Sequence, residues 1–214
     1  MNAVRAIIWK EMHSFLRKKL YLGVVVLIPL FLGVSLLSRF GSTAFPIIAM
    51  IVVYMGAYLF SWISFHDEQL NKTISNLLAS PIRVSEFFLG KIAAIFIFTY
   101  LLELVVLVIF VSIMWFKLGE FPSASALLWA LITIPIWGII LTELLGLVFI
   151  LFGNPYIIRF VMILGMVSII NPALASRIYV LLSSPIVPAA FGIGIALLLY
   201  ILAGKISKER MRKA

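Results

Sequence analysis

No cysteine occurs among the 214 residues, which excludes disulfides, thiolate metal sites and cysteine nucleophiles and leaves the redox compartment open. Charge is also scarce. At 12% charged and 64% hydrophobic residues, with a mean hydropathy of +1.21, the chain does not fit an ordinary soluble domain. The recurring signatures of catalysis are missing too: there is no His-Glu-x-x-His, no Gly-x-Ser-x-Gly and no Gly-x4-Gly-Lys-Ser/Thr loop. Gly90-Lys91 has the last loop's dipeptide, but Ser85 stands where its first glycine belongs and no hydroxyl follows. The chain is therefore expected not to be an enzyme and to carry no catalytic residue, cofactor or metal of its own.

What is present is long apolar runs. Each helical span needs about 20 apolar residues, and six runs qualify as spans at about 20–37, 46–65, 92–116, 125–151, 156–175 and 187–203. The expected fold is an all-α integral membrane protein in one domain, 1–214. Residues 2–19 precede the first span and are amphipathic: Val4, Ile7, Ile8, Met12, Phe15 and Leu16 share one helical face, with Lys10, His13, Arg17 and Lys18 on another. That pattern predicts a helix lying along the inner leaflet, or else a charged lead-in that only fixes orientation. No small-residue cleavage pattern follows the first apolar run, so the first span is expected to be retained.

Basic residues outnumber acidic ones, 17 to 8. In the six-span arrangement Arg5, Lys10, Arg17, Lys18, Lys19, Lys72, Arg83, Lys91, Arg159, Lys205, Lys208, Arg210, Arg212 and Lys213 fall on one side, and Arg39, Lys117 and Arg177 on the other. The positive-inside rule then places both termini in the cytoplasm. The net charge of +9 is accordingly read as topology and attraction to anionic lipid, not as a nucleic-acid surface.

The longest polar interval, Phe65 to Lys91, has its own pattern. Asp67 can cap a helix start, and Leu70, Ile74, Leu77 and Leu78 recur at helical spacing, opposite Gln69, Asn71, Lys72, Ser75 and Asn76. Pro81 ends that helix near Ala79, and Ser85 can cap the next. A short amphipathic helix over 67–79, held on two spans, either lies on lipid or is gripped by a partner. His66 beside it reads as an interface residue, since no ligand cluster stands at metal spacing.

Two carboxylates, Glu103 and Glu143, fall inside spans. Such residues are costly in a bilayer and mark substrate paths, proton relays or helix partners. The structural alternative is a neutral acid hydrogen-bonded within the bundle, because no Lys or Arg lies in the membrane interior to pair with either, Arg159 standing at the end of its span. Asn171-Pro172 interrupts the fifth span, and 176–182 followed by Pro185 and Pro188 reads either as a helix dipping into the outer leaflet or as a plain loop.

The run Glu68, Thr73, Ile74, Leu77, Leu78, Ala79, Ser80, Pro81, Glu86, Gly90, Lys91 resembles the cytoplasmic segment of the type 2 family of ATP-binding cassette (ABC) transporter permeases. There an acidic residue, a Gly-Thr pair, a Leu-Leu-x-[Ser/Thr]-Pro stop and a Gly-Lys recur between the second and third spans. Lys72 departs from the pattern, standing where glycine is usual. The resemblance implies an exporter half in the cell membrane that pairs with a second permease, identical or related. Each half would dock on a separate ATPase subunit that holds ATP and Mg. Residues 67–79 would be the coupling helix, with Asp67, Glu68, Leu70, Thr73, Ile74, Leu77, Leu78 and Pro81 as its partner-binding residues. Two other readings stand beside it: a carrier driven by an ion gradient through Glu103 and Glu143, and a membrane scaffold that recruits a partner without transport.

Overall fold

The computed structural model describes residues 3–66, 83–152 and 185–205. Helix α1 spans Ala3–Arg17 and α2 Lys19–Phe40; a single 3-10 turn, Gly41–Thr43, leads into α3, Ala44–Ser61, which continues as a π-helical turn over Trp62–His66. Helix α4 covers Val84–Leu118, and α5, Ala124–Leu128, passes through a second π turn, Trp129–Thr133, into α6, Ile134–Phe152. Helix α7 is Ile186–Gly204. No strand occurs among the described residues.

Among the described residues four stretches are long and apolar enough to cross a membrane: Lys19–His66, Val84–Leu118, Ala124–Phe149 and Ile186–Gly204. The first is not one rod. Gly41 sits at φ +57°, a conformation that glycine adopts without the steric cost of a β-carbon, and the Thr43 hydroxyl donates to the Phe40 carbonyl at 2.6 Å. The chain reverses there, as the far ends show. The Phe15 ring, just before α2, lies 4.9 Å from the Phe60 ring near the end of α3, so α2 and α3 form an antiparallel hairpin.

Helix α3 is the buried centre, packed by α2, α4 and α6, and its Phe45, Ile48, Val52 and Phe60 are all but inaccessible. Helix α4 crosses α1 and α3, while α7 packs on α6. Outward faces are apolar: Phe31 on α2, Val108 on α4 and Phe191 on α7 are mostly exposed. A helix that is apolar on its outer face as well as its inner one suits lipid on that face. Ser123 caps α5 by accepting from the Ala126 N–H. Pro188 lies in the first turn of α7, where its missing N–H has no intrahelical acceptor to satisfy.

The structure departs from the sequence reading at three places. The face of α1 expected on lipid buries Ile7, Glu11 and Phe15 within the protein, chiefly against α4, and Leu16 is exposed. Helix α4 begins at Val84 rather than near Ile92, because Phe87, Phe88, Gly90 and Lys91 of its first two turns are buried by packing although those turns are too mixed in polarity to read as a span. Its cap is at Arg83, whose backbone N–H donates to the Glu86 carboxylate at 3.1 Å, and not at Ser85. The expected helix over 67–79, the fifth span and the 176–182 segment lie outside the described residues.

Candidate functional site

Lys91 is the first unexpected feature. Counted from sequence among the surface cations, it is fully buried, because α4 already continues through it and α1 lies across it. Burying an ammonium without partners would be prohibitive, and here each of its three N–H bonds finds an oxygen. It donates to Glu11 Oε1 of α1 at 3.0 Å, to Ser64 Oγ at 2.9 Å and to the Ser64 backbone carbonyl. The Ser64 carbonyl belongs to the π-helical turn Trp62–His66, the end of the described part of this element. The rings of Phe65 and Phe87 flank the ammonium, each centroid 5.1 Å away. Gly90 makes the approach possible, since a β-carbon there would stand 2.9 Å from Cβ of Ile7. One side chain thus ties α1, the end of α3 and the start of α4 together, at the two flanks of residues 67–82.

Glu11 and Ser64 were not singled out from sequence. The signal for Glu11 was available: it lies at i+4 from Ile7 and i−4 from Phe15, a carboxylate in the middle of an apolar stripe. Exposed Lys10 is 3.9 Å from the same carboxylate, a contact of the kind that contributes little.

The second feature is a cavity between α3, α4 and α6 of about 10 Å³, lined by Val53, Ala57, Phe96, Thr99, Tyr100, Glu103, Pro135, Gly138 and Thr142. That is close to the minimum for one water-sized guest. The α4 residues lie at spacings of three and four, so they form one helical face. Close packing here depends on small residues: a β-carbon on Gly56 would meet Thr99 at 2.6 Å, and one on Gly138 would overlap Val53.

Glu103 is fully buried, and among the described residues neither carboxyl oxygen has a hydrogen-bond partner; the Thr99 hydroxyl is likewise unpaired. Among the described residues, then, the hydrogen-bonded alternative finds no partner for Glu103. Glu143 is buried too, with Oε2 unpaired, but it is not among the residues that line the cavity. The two span carboxylates are therefore not brought to one site. His66 is half-buried beside Trp62 and Phe149, with ring centroids 4.2 and 6.2 Å away. Among the described residues no group of three or more His, Asp or Glu stands ready to hold a metal.

Fold and site together define a membrane-embedded protein, helical through its described residues, with a buried ionic node and an acidic cavity between its helices. Comparison with protein-family models, with curated proteins and with solved structures finds no match to this chain.

Proposed function

We propose that the chain is the membrane-spanning subunit of an ABC-type exporter, forming the substrate path and moved by ATP hydrolysis on a separate nucleotide-binding subunit. The observation that carries the reading is the Lys91 node. Residues 67–82, which carry the amphipathic pattern and the resemblance to a coupling segment, join His66 to Arg83. A load applied to them falls on Ser64 and Lys91, and through Lys91 on Glu11 of α1. A partner pushing there would move three helices as one unit, and so could shift the balance between inward-open and outward-open states.

In this reading six spans cross the cell membrane, the two arms of the α2–α3 hairpin being the first two, and both termini are cytoplasmic. Arg5, Lys10, Arg17, Lys18, Lys19, Arg83 and Lys205 then fall at the cytoplasmic end, against Arg39 and Lys117 at the other. A second permease and an ATPase are the partners, with lipid around them. The chain itself does no chemistry.

Leu77 and Leu78 are the natural anchors, since a helix in a groove takes most of its affinity from a few buried side chains. The double change Leu77→Ala plus Leu78→Ala should weaken recovery of a copurifying ATPase at least about a hundredfold, the equivalent of about 2.7 kcal/mol. Ser75→Ala should not. Undiminished recovery with the double variant would remove the coupling-helix reading. Glu103, at a cavity and without a partner among the described residues, favours a second reading, a carrier driven by an ion gradient. Transport in proteoliposomes separates them: dependence on ATP and an added ATPase supports the exporter, and transport on a pH or ion gradient alone supports the carrier.

A further inference from the structure

The cavity at Glu103 has a chemical bias that follows from where its hydroxyl protons go. Pro135 has no N–H to offer the carbonyl four residues earlier, that of Leu131, and the Tyr100 hydroxyl donates to this carbonyl at 3.4 Å. The Thr142 hydroxyl donates back to the Gly138 carbonyl at 2.8 Å. The Thr142 hydroxyl has therefore committed its proton to backbone, and the Tyr100 hydroxyl directs its own to backbone over a longer, weaker contact, so both present mainly lone pairs. Glu103, when ionised, is acceptor-only, and Thr99 one turn away on the same face has a hydroxyl with no partner among the described residues, two lone pairs against one proton.

Four oxygen-bearing side chains, from α4 and α6, thus line a water-sized space at which acceptors exceed donors. A guest that only accepts, such as an anion, finds little to hold it, and a carboxylate would repel it. A guest that is positive answers the unpaired acceptors and neutralises a carboxylate that the bilayer would otherwise leave exposed to a low dielectric. One carboxylate balances one charge. Calcium draws six to eight oxygens, commonly from several carboxylates, and magnesium retains waters that this volume has no room for.

We propose that the Glu103 cavity is a binding site for one small monovalent cation, sodium or the proton, held by the Glu103 carboxylate with the oxygens of Thr99, Tyr100 and Thr142 around it. The inference is independent of what drives transport, and its test reads binding alone. Full-length protein in lipid nanodiscs is titrated with sodium chloride against choline chloride at constant ionic strength, and the melting temperature is followed. In parallel, the infrared carbonyl band of a protonated carboxyl is recorded from acid to alkaline pH and assigned by its loss in Glu103→Gln.

If sodium is the guest, the melting temperature rises saturably with sodium and not with choline. Thr99→Val, which keeps shape and removes one oxygen, raises the half-saturating concentration about tenfold, as loss of about 1.4 kcal/mol would. If the proton is the guest, sodium has no effect and the Glu103 band disappears reversibly as pH rises, over a range that Thr99→Val shifts. Should Glu103→Gln fail to fold, selective isotope labelling of glutamate in the wild-type protein and in Thr99→Val makes the assignment. A Glu103 band unchanged across pH and sodium concentration, or a sodium effect that survives in Glu103→Gln, would overturn the proposal.

Discussion

The ammonium of Lys91 and the carboxylate of Glu11 meet at 3.0 Å, 80 residues apart in sequence, inside protein rather than at its surface. Removing one member strands the other in a site built to exclude water. Breaking a buried pair in this way costs about 3–5 kcal/mol, whereas replacing both members with apolar side chains of similar volume is often neutral. Lys91→Met and Glu11→Leu should each lower stability by that order, and the double variant should recover most of the loss. Unfolding of the four proteins in mild detergent gives the coupling energy directly, and additivity of the two single losses would show that the pair is not a unit.

The same node predicts a steric effect one residue earlier. Gly90→Ala places a methyl group 2.9 Å from Cβ of Ile7, which is the branch point of a side chain and not its flexible end. Overpacking of this kind costs about 1–3 kcal/mol. Gly23→Ala on α2 meets nothing within 4 Å and should change stability by less than about 0.5 kcal/mol. Equal melting temperatures for the two variants would mean that α1 does not rest on α4 as described.

The absence of native cysteine makes the proposed topology directly measurable. Single cysteines at Ser75, Asn154 and Ser207 should react with an impermeant thiol reagent only from the cytoplasmic face, and those at Ser42 and Ser123 only from outside. Reaction of the Asn154 variant from outside would remove the six-span arrangement.

The apolar helices were legible because about 20 consecutive apolar residues have few alternatives to a span. Thus 20–37 and 187–203 differ by only a few residues from α2, Lys19–Phe40, and α7, Ile186–Gly204. The start of α4 was not legible. Val84 to Lys91 has no strong hydropathy of its own, and its burial comes from α1, which lies some 80 residues away in the chain. For the same reason Lys91 read as one more cytoplasmic cation, since nothing local distinguishes a lysine that faces Glu11 from one that faces water.

At the cavity the balance is similar. Glu103 stood out because a carboxylate inside an apolar run is anomalous in any fold, and Thr99 and Tyr100 share its helical face by spacing alone. What spacing could not show is that Pro135 frees the Leu131 carbonyl and that Tyr100 occupies it, or that Glu143, equally anomalous in sequence, stands apart from the cavity.

Helix α4 runs for 35 residues without a proline, about 52 Å at 1.5 Å per residue, against a hydrocarbon core of about 30 Å. Such a rod is a lever whose long arm extends past the bilayer. A swing of only about 10° carries one of its ends about 9 Å sideways relative to the other. For a tilt about its midpoint, a displacement of a few ångströms at Arg83 has a geometric counterpart at Leu118, and Glu103, twentieth of the 35 residues, lies close to that midpoint, where side chains travel least.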